Sequence, residues 1–240
     1  DWARAEEELG FRSVFFVFAP DRARTFRDDA RYTFDDRNAV RPKITLAAAL
    51  KRLIDKGFLI GPHLSRSSGY VREEIDREFD SVCGELKSTV TATRNHWLWI
   101  RYSDWYQILL ERQVDFDFNQ VSVGYAKGTS FPYLSTNHHT MVFPTVYPDD
   151  AILAKNRLFL SEEQALELLS SQLDSLQEYG GCIALSFHPA RDTPASNFRI
   201  TNKLRLYRRI LAEIHRREIP VYLPAEGRDV FSREVACDGW

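Results

Sequence analysis

Gly180-Gly181-Cys182-Ile183-Ala184-Leu185-Ser186-Phe187-His188-Pro189 decides how the chain is read. It is an almost unbroken apolar run that follows an amphipathic helix and ends in a histidine before a proline. That is the pattern of a buried parallel strand delivering a working side chain at its carboxyl end. Three other short runs end in the same manner: Phe58-Leu59-Ile60 leads to His63, Val90 to Thr93 leads to Arg94, and Val114 to Phe118 carries Asp117. Four chemically capable side chains at strand ends form the main functional signal.

Outward from that stretch, strands and helices alternate. Upstream, Ser161 and Gln164 form a capping box for a helix with Leu166, Leu169, Leu173 and Leu176 on one face. Downstream, Leu204, Tyr207, Leu211 and Ile214 mark a helix and Val221-Tyr222-Leu223 a last strand, after which periodicity is lost beyond Pro224. Leu46 to Ile54 and Tyr70 to Lys87 read as helices, and Asp104 caps another that runs to Arg112. At the start, Asp1 to Leu9 reads as a helix stopped by Gly10, and Ser13 to Phe18 as a fully buried strand. Residues 20 to 44 form a polar excursion, and Asn119 to Pro148 is loop-rich and aromatic apart from a strand at Met141-Val142-Phe143.

Alternation of this kind, repeated about six times, predicts an α/β fold with a parallel sheet. Helices must cover every strand, and a further strand is expected upstream of Asp1. The expected architecture is therefore a distorted (β/α) barrel of seven or eight strands over residues 1–224, with 225–240 as a C-terminal tail. In such barrels the working residues lie at the carboxyl ends of the strands.

Composition narrows the function classes. The 240 residues carry 32 Lys and Arg against 34 Asp and Glu, so a formal charge of -2 gives no electrostatic argument for nucleic acid or an anionic membrane. No apolar run approaches the ~20 residues that span a bilayer and no signal segment opens the chain, which predicts a cytoplasmic protein or a mature form without its leader. Cys83, Cys182 and Cys237 are odd in number and far apart, which speaks against a disulfide framework or a cysteine zinc site.

With these residues laid out, the chain resembles the polysaccharide deacetylase superfamily, the NodB-homology fold of carbohydrate esterase family 4. Ser13-Val14-Phe15-Phe16-Val17 is similar to its second strand, and Gly57 to Ser65 to the segment that supplies its first metal-binding histidine. Arg94-Asn95-His96-Trp97-Leu98 resembles an R-Q-H-Y-L variant of its arginine motif. Phe116-Asp117-Phe118-Asn119 and Gly124 to Tyr133 look like further signatures of that subgroup, and Leu185 to Pro189 fits the last motif. The resemblance covers residues 9 to 223.

It implies a hydrolase that removes acetyl groups from an N- or O-acetylated sugar or polysaccharide by metal-assisted attack of water. The metal would be divalent, zinc first, with His63 and Ser67 at the ligand positions. Ser67 stands where the family has a second histidine, and a hydroxyl is a poor ligand for zinc. His188 would be the general acid, Arg94 would orient the catalytic carboxylate, and Asp117 would set the charge of His188. Trp97, Tyr125, Phe131 and Tyr133 would line the sugar cleft, since the apolar face of a pyranose packs on an aromatic ring.

The family's first motif, a strand ending in Asp-Asp, is expected upstream of residue 1. Tyr32-Thr33-Phe34-Asp35-Asp36 spells it out of order and holds Asp35 and Asp36 in reserve. Two alternatives stay open: a catalytically degenerate barrel that binds a glycan, and a related C–N (amide) hydrolase. Blander roles are a strand-end His188 satisfied by a carbonyl, an Arg94–Asp117 ion pair, a packed His96, a solvated loop for His138-His139 and a solvent-facing His215.

Overall fold

A computed structural model of the chain describes residues 1–20, 44–69, 71–98, 100, 103–121, 130–189 and 202–237. In chain order the elements begin α1 (Trp2–Glu7), β1 (Val14–Val17), α2 (Leu46–Asp55), β2 (Leu59–Leu64), α3 (Arg72–Leu86), β3 (Ala92–Asn95), α4 (Trp105–Glu111) and β4 (Phe116–Asp117). They continue with β5 (Tyr133–Leu134), β6 (Met141–Val142), β7 (Thr145–Pro148), α5 (Asp149–Leu153), α6 (Glu162–Tyr179), β8 (Ala184–Ser186), α7 (Lys203–Arg216) and α8 (Pro224–Cys237). The chain divides into two compact units: Ser13–Asn119 with Leu134–Val142, and Asp1–Arg12 with Gln120–Tyr133 and Phe143–Trp240.

The first unit is built on a six-stranded sheet of order β1-β2-β3-β4-β6-β5. Its pairs β1/β2, β2/β3, β3/β4 and β4/β6 are all parallel. Thr45 caps α2 by accepting the Ala48 N–H at 3.2 Å. Of the apolar stripe that the spacing predicts for α3, Val71, Ile75, Phe79, Val82 and Leu86, the last four pack with Leu64, Trp105, Ile108 and Leu109 in one core, whereas Val71 caps the helix and is exposed. Gly61 is required where β2 passes its neighbours, because a Cβ there would meet the Ala92 carbonyl oxygen and the Phe16 ring.

The second unit pairs β7 with β8 in parallel, with a register shift between Thr145 and Tyr147. Ser161 and Gln164 make the predicted capping box on α6, and Asn202 caps α7 through the Arg205 N–H at 2.9 Å. Leu169, Leu173, Leu206, Ile210 and Ile214 from these helices bury Tyr147, whose hydroxyl donates to the Ala165 carbonyl at 2.8 Å. Trp2, Phe187 and Tyr207 form an aromatic cluster beside them, with ring centroids 4.8 to 5.9 Å apart.

The α/β alternation and the parallel pairing are as expected, and three local expectations change. β1 and β8, expected to be fully buried, are half-buried along their length. Val221-Tyr222-Leu223 forms no strand: Pro220 and Pro224 flank it and the Leu223 N–H goes to Glu226 Oε2 at 2.8 Å. The segment beyond is the helix α8, opened by Pro224 at its first position. β7 lies in the stretch read as loop, between Pro144 and Pro148. Among the described residues no helix is long and apolar enough to cross a membrane.

Candidate functional site

In the six-stranded unit, parallel register brings the predicted residues to neighbouring strand exits. His63 on β2 is level with Arg94 on β3, and Thr93 is level with Asp117 on β4. The rings of His63 and His96 lie 5.5 Å apart, and Phe18 beyond β1 packs edge-on to both, at 4.7 and 5.2 Å. Trp97 follows with a left-handed backbone (φ 59°) and 62% of its surface exposed. Ser67 lies in a one-turn 3-10 helix after β2, Ser67–Gly69.

Asp117 is sealed. Trp105 Nε1 donates to its Oδ2 at 3.1 Å, and the Asn119 backbone and side-chain amides donate to its Oδ1 at 3.1 and 2.5 Å. Burial pushes its carboxyl up to about 6, against the lowering effect of Trp105, Asn119 and the charge of Arg94. Arg94 Nη1 donates to the Phe118 carbonyl at 2.6 Å, and Asn119 Oδ1 accepts the Asn95 N–H at 2.7 Å, so β3 and β4 are laced together at their exits. Asn119 and Trp105, absent from the expected site, hold Asp117 in place.

His188 belongs to the other unit. There Pro148 on β7 is level with Ser186 on β8, so Asp149 and His188 follow the carboxyl ends of two adjacent parallel strands. Asp149 Oδ1 lies 2.6 Å from His188 Nδ1, and its Oδ2 accepts the His188 backbone N–H at 3.1 Å and Lys203 Nζ at 2.9 Å. Asp149 is fully buried and the Lys203 side chain 6% exposed, whereas His188 is 46% exposed. With Nδ1 on Asp149, Nε2 is the ring nitrogen left for chemistry.

The charges reinforce one another. Burial would raise Asp149, but the hydrogen bond and charge of His188 and then Lys203 hold it below the usual carboxylate range. Desolvation and the charge of Lys203 would lower His188, but the bond to Asp149 and the charges of Asp149 and Asp150 raise it. The result is a fixed carboxylate beside an imidazole that favours its protonated form. The carboxylate expected to control His188 was Asp117; the structure places Asp149 against it instead. The His138-His139 loop also differs from expectation, because His139 Nε2 sits 3.1 Å from Asp115 Oδ1. His215 is exposed as expected, with Phe11 edge-on to its ring at 6.0 Å.

Asp149, Asp150 and His188 offer one ligand atom each within 4.8 Å, a candidate metal site in outline. Its donor chemistry fits a proton better than a cation. Lys203 already supplies a positive charge to Asp149, and His188 presents to that carboxylate the nitrogen a metal would need bare. His63 and His96 are two imidazoles without a carboxylate close enough to complete a set of three among the described residues. Asp35, Asp36, Trp99 and Tyr125 lie outside the described residues.

No family model and no curated protein matches the chain by sequence. Solved structures do. A candidate polysaccharide deacetylase of O-antigen biosynthesis from Bordetella bronchiseptica is 19% identical over 89% of this chain and 72% of its own, with a TM-score of 0.46. PuuE allantoinase superimposes on 70% of this chain and 56% of its own at 12% identity and a TM-score of 0.51. A GH57 branching enzyme from Thermococcus kodakaraensis, solved with glucose, covers 77% of this chain and 49% of its own at 12% identity and a TM-score of 0.50. The mostly parallel α/β fold is thus one that this chain shares with PuuE allantoinase and the branching enzyme.

Proposed function

We propose that the chain is a deacetylase-like hydrolase, on a NodB-like (β/α) barrel, that cleaves an acetyl group from an N- or O-acetylated saccharide. The observation that carries the reading is the His188–Asp149–Lys203 arrangement at the ends of β7 and β8. Water adds to the acetyl carbonyl and the C–N or C–O bond breaks. The attacking water gives one proton to the solvent, His188 Nε2 gives its proton to the leaving amine or alkoxide, the acetyl group departs as acetate carrying the water's oxygen, and His188 recovers a proton from the solvent. Asp149 orients the ring through Nδ1 and stabilises the imidazolium, while Lys203 keeps that carboxylate ionised. A divalent metal, were it held by Asp149, Asp150 and His188, would supply polarisation of the acetyl carbonyl and of the attacking water.

Acetate release from the β-1,4-linked trimer of N-acetylglucosamine and from an O-acetylated xylo-oligosaccharide tests the reading. His188→Gln should lower the rate by about 100-fold or more. With general-acid control, activity should fall as pH rises through the His188 titration. Release that is unaffected by His188→Gln would overturn the assignment. No release, with saccharide binding retained, would make the chain a glycan-binding relative.

A further inference from the structure

The amino end of β8 carries a second feature, built by residues the proposed chemistry does not use. Phe131, Ser171, Gln172, Ser175, Leu176 and Tyr179 line a groove of about 330 Å³, together with Gly180, Cys182 and Ile183. That volume is within the ~300–1,000 Å³ of small-molecule sites. His188 follows the carboxyl end of the same strand, so the groove and the proposed acid lie at opposite ends of β8.

Three properties of the lining restrict its ligand. None of the side chains bears a charge, so the lining presents no counter-ion to an anion or cation. Two aromatic rings border it, and Tyr179 is 71% exposed at the end of α6. The Oε1 of Gln172 is shielded from solvent and accepts no hydrogen bond. A desolvated acceptor of this kind is costly unless a donor reaches it, and the amide turned the other way would present a donor in the same place. The ligand that meets all three demands is neutral, has an apolar face to lie on an aromatic ring, and carries hydroxyls that both donate and accept.

The groove also shows the marks of a constructed surface. Gly181 has φ +104°, and a Cβ there would stand 3.3 Å from the Phe131 ring, so that ring lies directly over the chain. The register shift in β7 flanks Val146, which lines the groove as well. We propose that this groove is a carbohydrate-binding subsite that holds one neutral pyranose residue on Tyr179 and Phe131, with Gln172 as its central polar contact. The ligand class follows from the lining and does not depend on the assignment of His188.

The test uses the ¹⁵N-labelled full chain titrated with maltotriose and with the trimer of N-acetylglucosamine. One of the two should saturably shift the Gly180 and Gly181 amide resonances and the Gln172 side-chain amide. Tyr179→Ala should weaken that response by about tenfold or more in dissociation constant, and Gln172→Ala should weaken it too, while acetate release from a monosaccharide is unchanged. His188→Gln should leave the shifts intact, which separates failure of the subsite from failure of the hydrolase reading. The subsite is refuted if neither sugar moves these resonances at millimolar concentration, or if Tyr179→Ala binds as the parent does.

Discussion

Replacing Asp149 by Asn should destabilise the β7/β8 unit strongly, and the reason lies in Lys203. The carboxylate is fully buried and receives Lys203 Nζ at 2.9 Å, with the lysine side chain 6% exposed. Taking away one partner of such a pair strands the other charge in the interior, at a cost of ~3 to 5 kcal/mol. Hydrogen exchange measured on peptides from α7 reads this locally: protection should fall by roughly 100-fold for a loss near 3 kcal/mol. Asp149→Asn combined with Lys203→Met should recover most of the loss, because the uncompensated cation is gone. The His188 titration followed by NMR should move down in Asp149→Asn, toward the ~6.5 of a free imidazole. Stability also acquires a pH window. The raised His188 contributes fully below ~6.5 and loses its contribution as pH rises through its folded value, while the lowered Asp149 contributes above ~3.9 and loses it as pH falls. The couple is therefore at full strength between those two limits. A single variant that costs under about 1 kcal/mol, or a double variant no better than the single one, would refute the buried-pair reasoning.

Two further outcomes test the six-stranded unit. Asp117 has a folded value of about 6 against ~3.9 when unfolded, so this group favours the folded state increasingly as pH falls from 6 to 4, by up to about 3 kcal/mol. Denaturant unfolding across that range should show the trend in the parent and lose it in Asp117→Asn; a flat difference between the two would contradict it. Gly61→Ala would drive a methyl into the Ala92 carbonyl oxygen and to within 2.9 Å of the Phe16 ring. It should cost ~1 to 3 kcal/mol in the same assay, and a neutral result would mean that β2 is free to move away from its neighbours.

What could be read from the sequence was local in origin. Helix stripes, the capping box at Ser161 and the run into His188 are encoded within a few residues, and each forms where its pattern lies. His63, Arg94 and Asp117 were legible for the same reason, since each ends an apolar run, and parallel register then sets them side by side. Asp149 was hidden because β7 is bracketed by Pro144 and Pro148 and carries a register shift, features that demote a strand. The available signal was the short run Thr145-Val146-Tyr147 ending at Asp149-Asp150 before the apolar Ile152-Leu153. Lys203 carries no local signal, since its burial against Asp149 spans 54 residues of chain. Asn119 and Trp105 escaped notice for the same reason: their importance lies in what they touch across the sheet.

The exchange of Asp117 for Asp149 as the partner of His188 follows from electrostatics. A carboxylate can hold an imidazole protonated only if it is itself the stronger acid of the two in place. Asp117, buried and raised to about 6, is close to sharing a proton at neutral pH, and its oxygens are committed to Trp105 and Asn119. Asp149 is kept acidic by two cationic partners, His188 and then Lys203, whose Nζ lies 2.9 Å from its Oδ2. The proton of the couple therefore rests on His188, and the exposed half of that ring is where it can be delivered. Were Lys203 replaced by an apolar residue, as in Lys203→Met, Asp149 would drift upward and His188 would lose the like charge that lowers it. The general acid would then titrate higher, with the pH–rate profile of acetate release shifted toward alkali before any loss of fold.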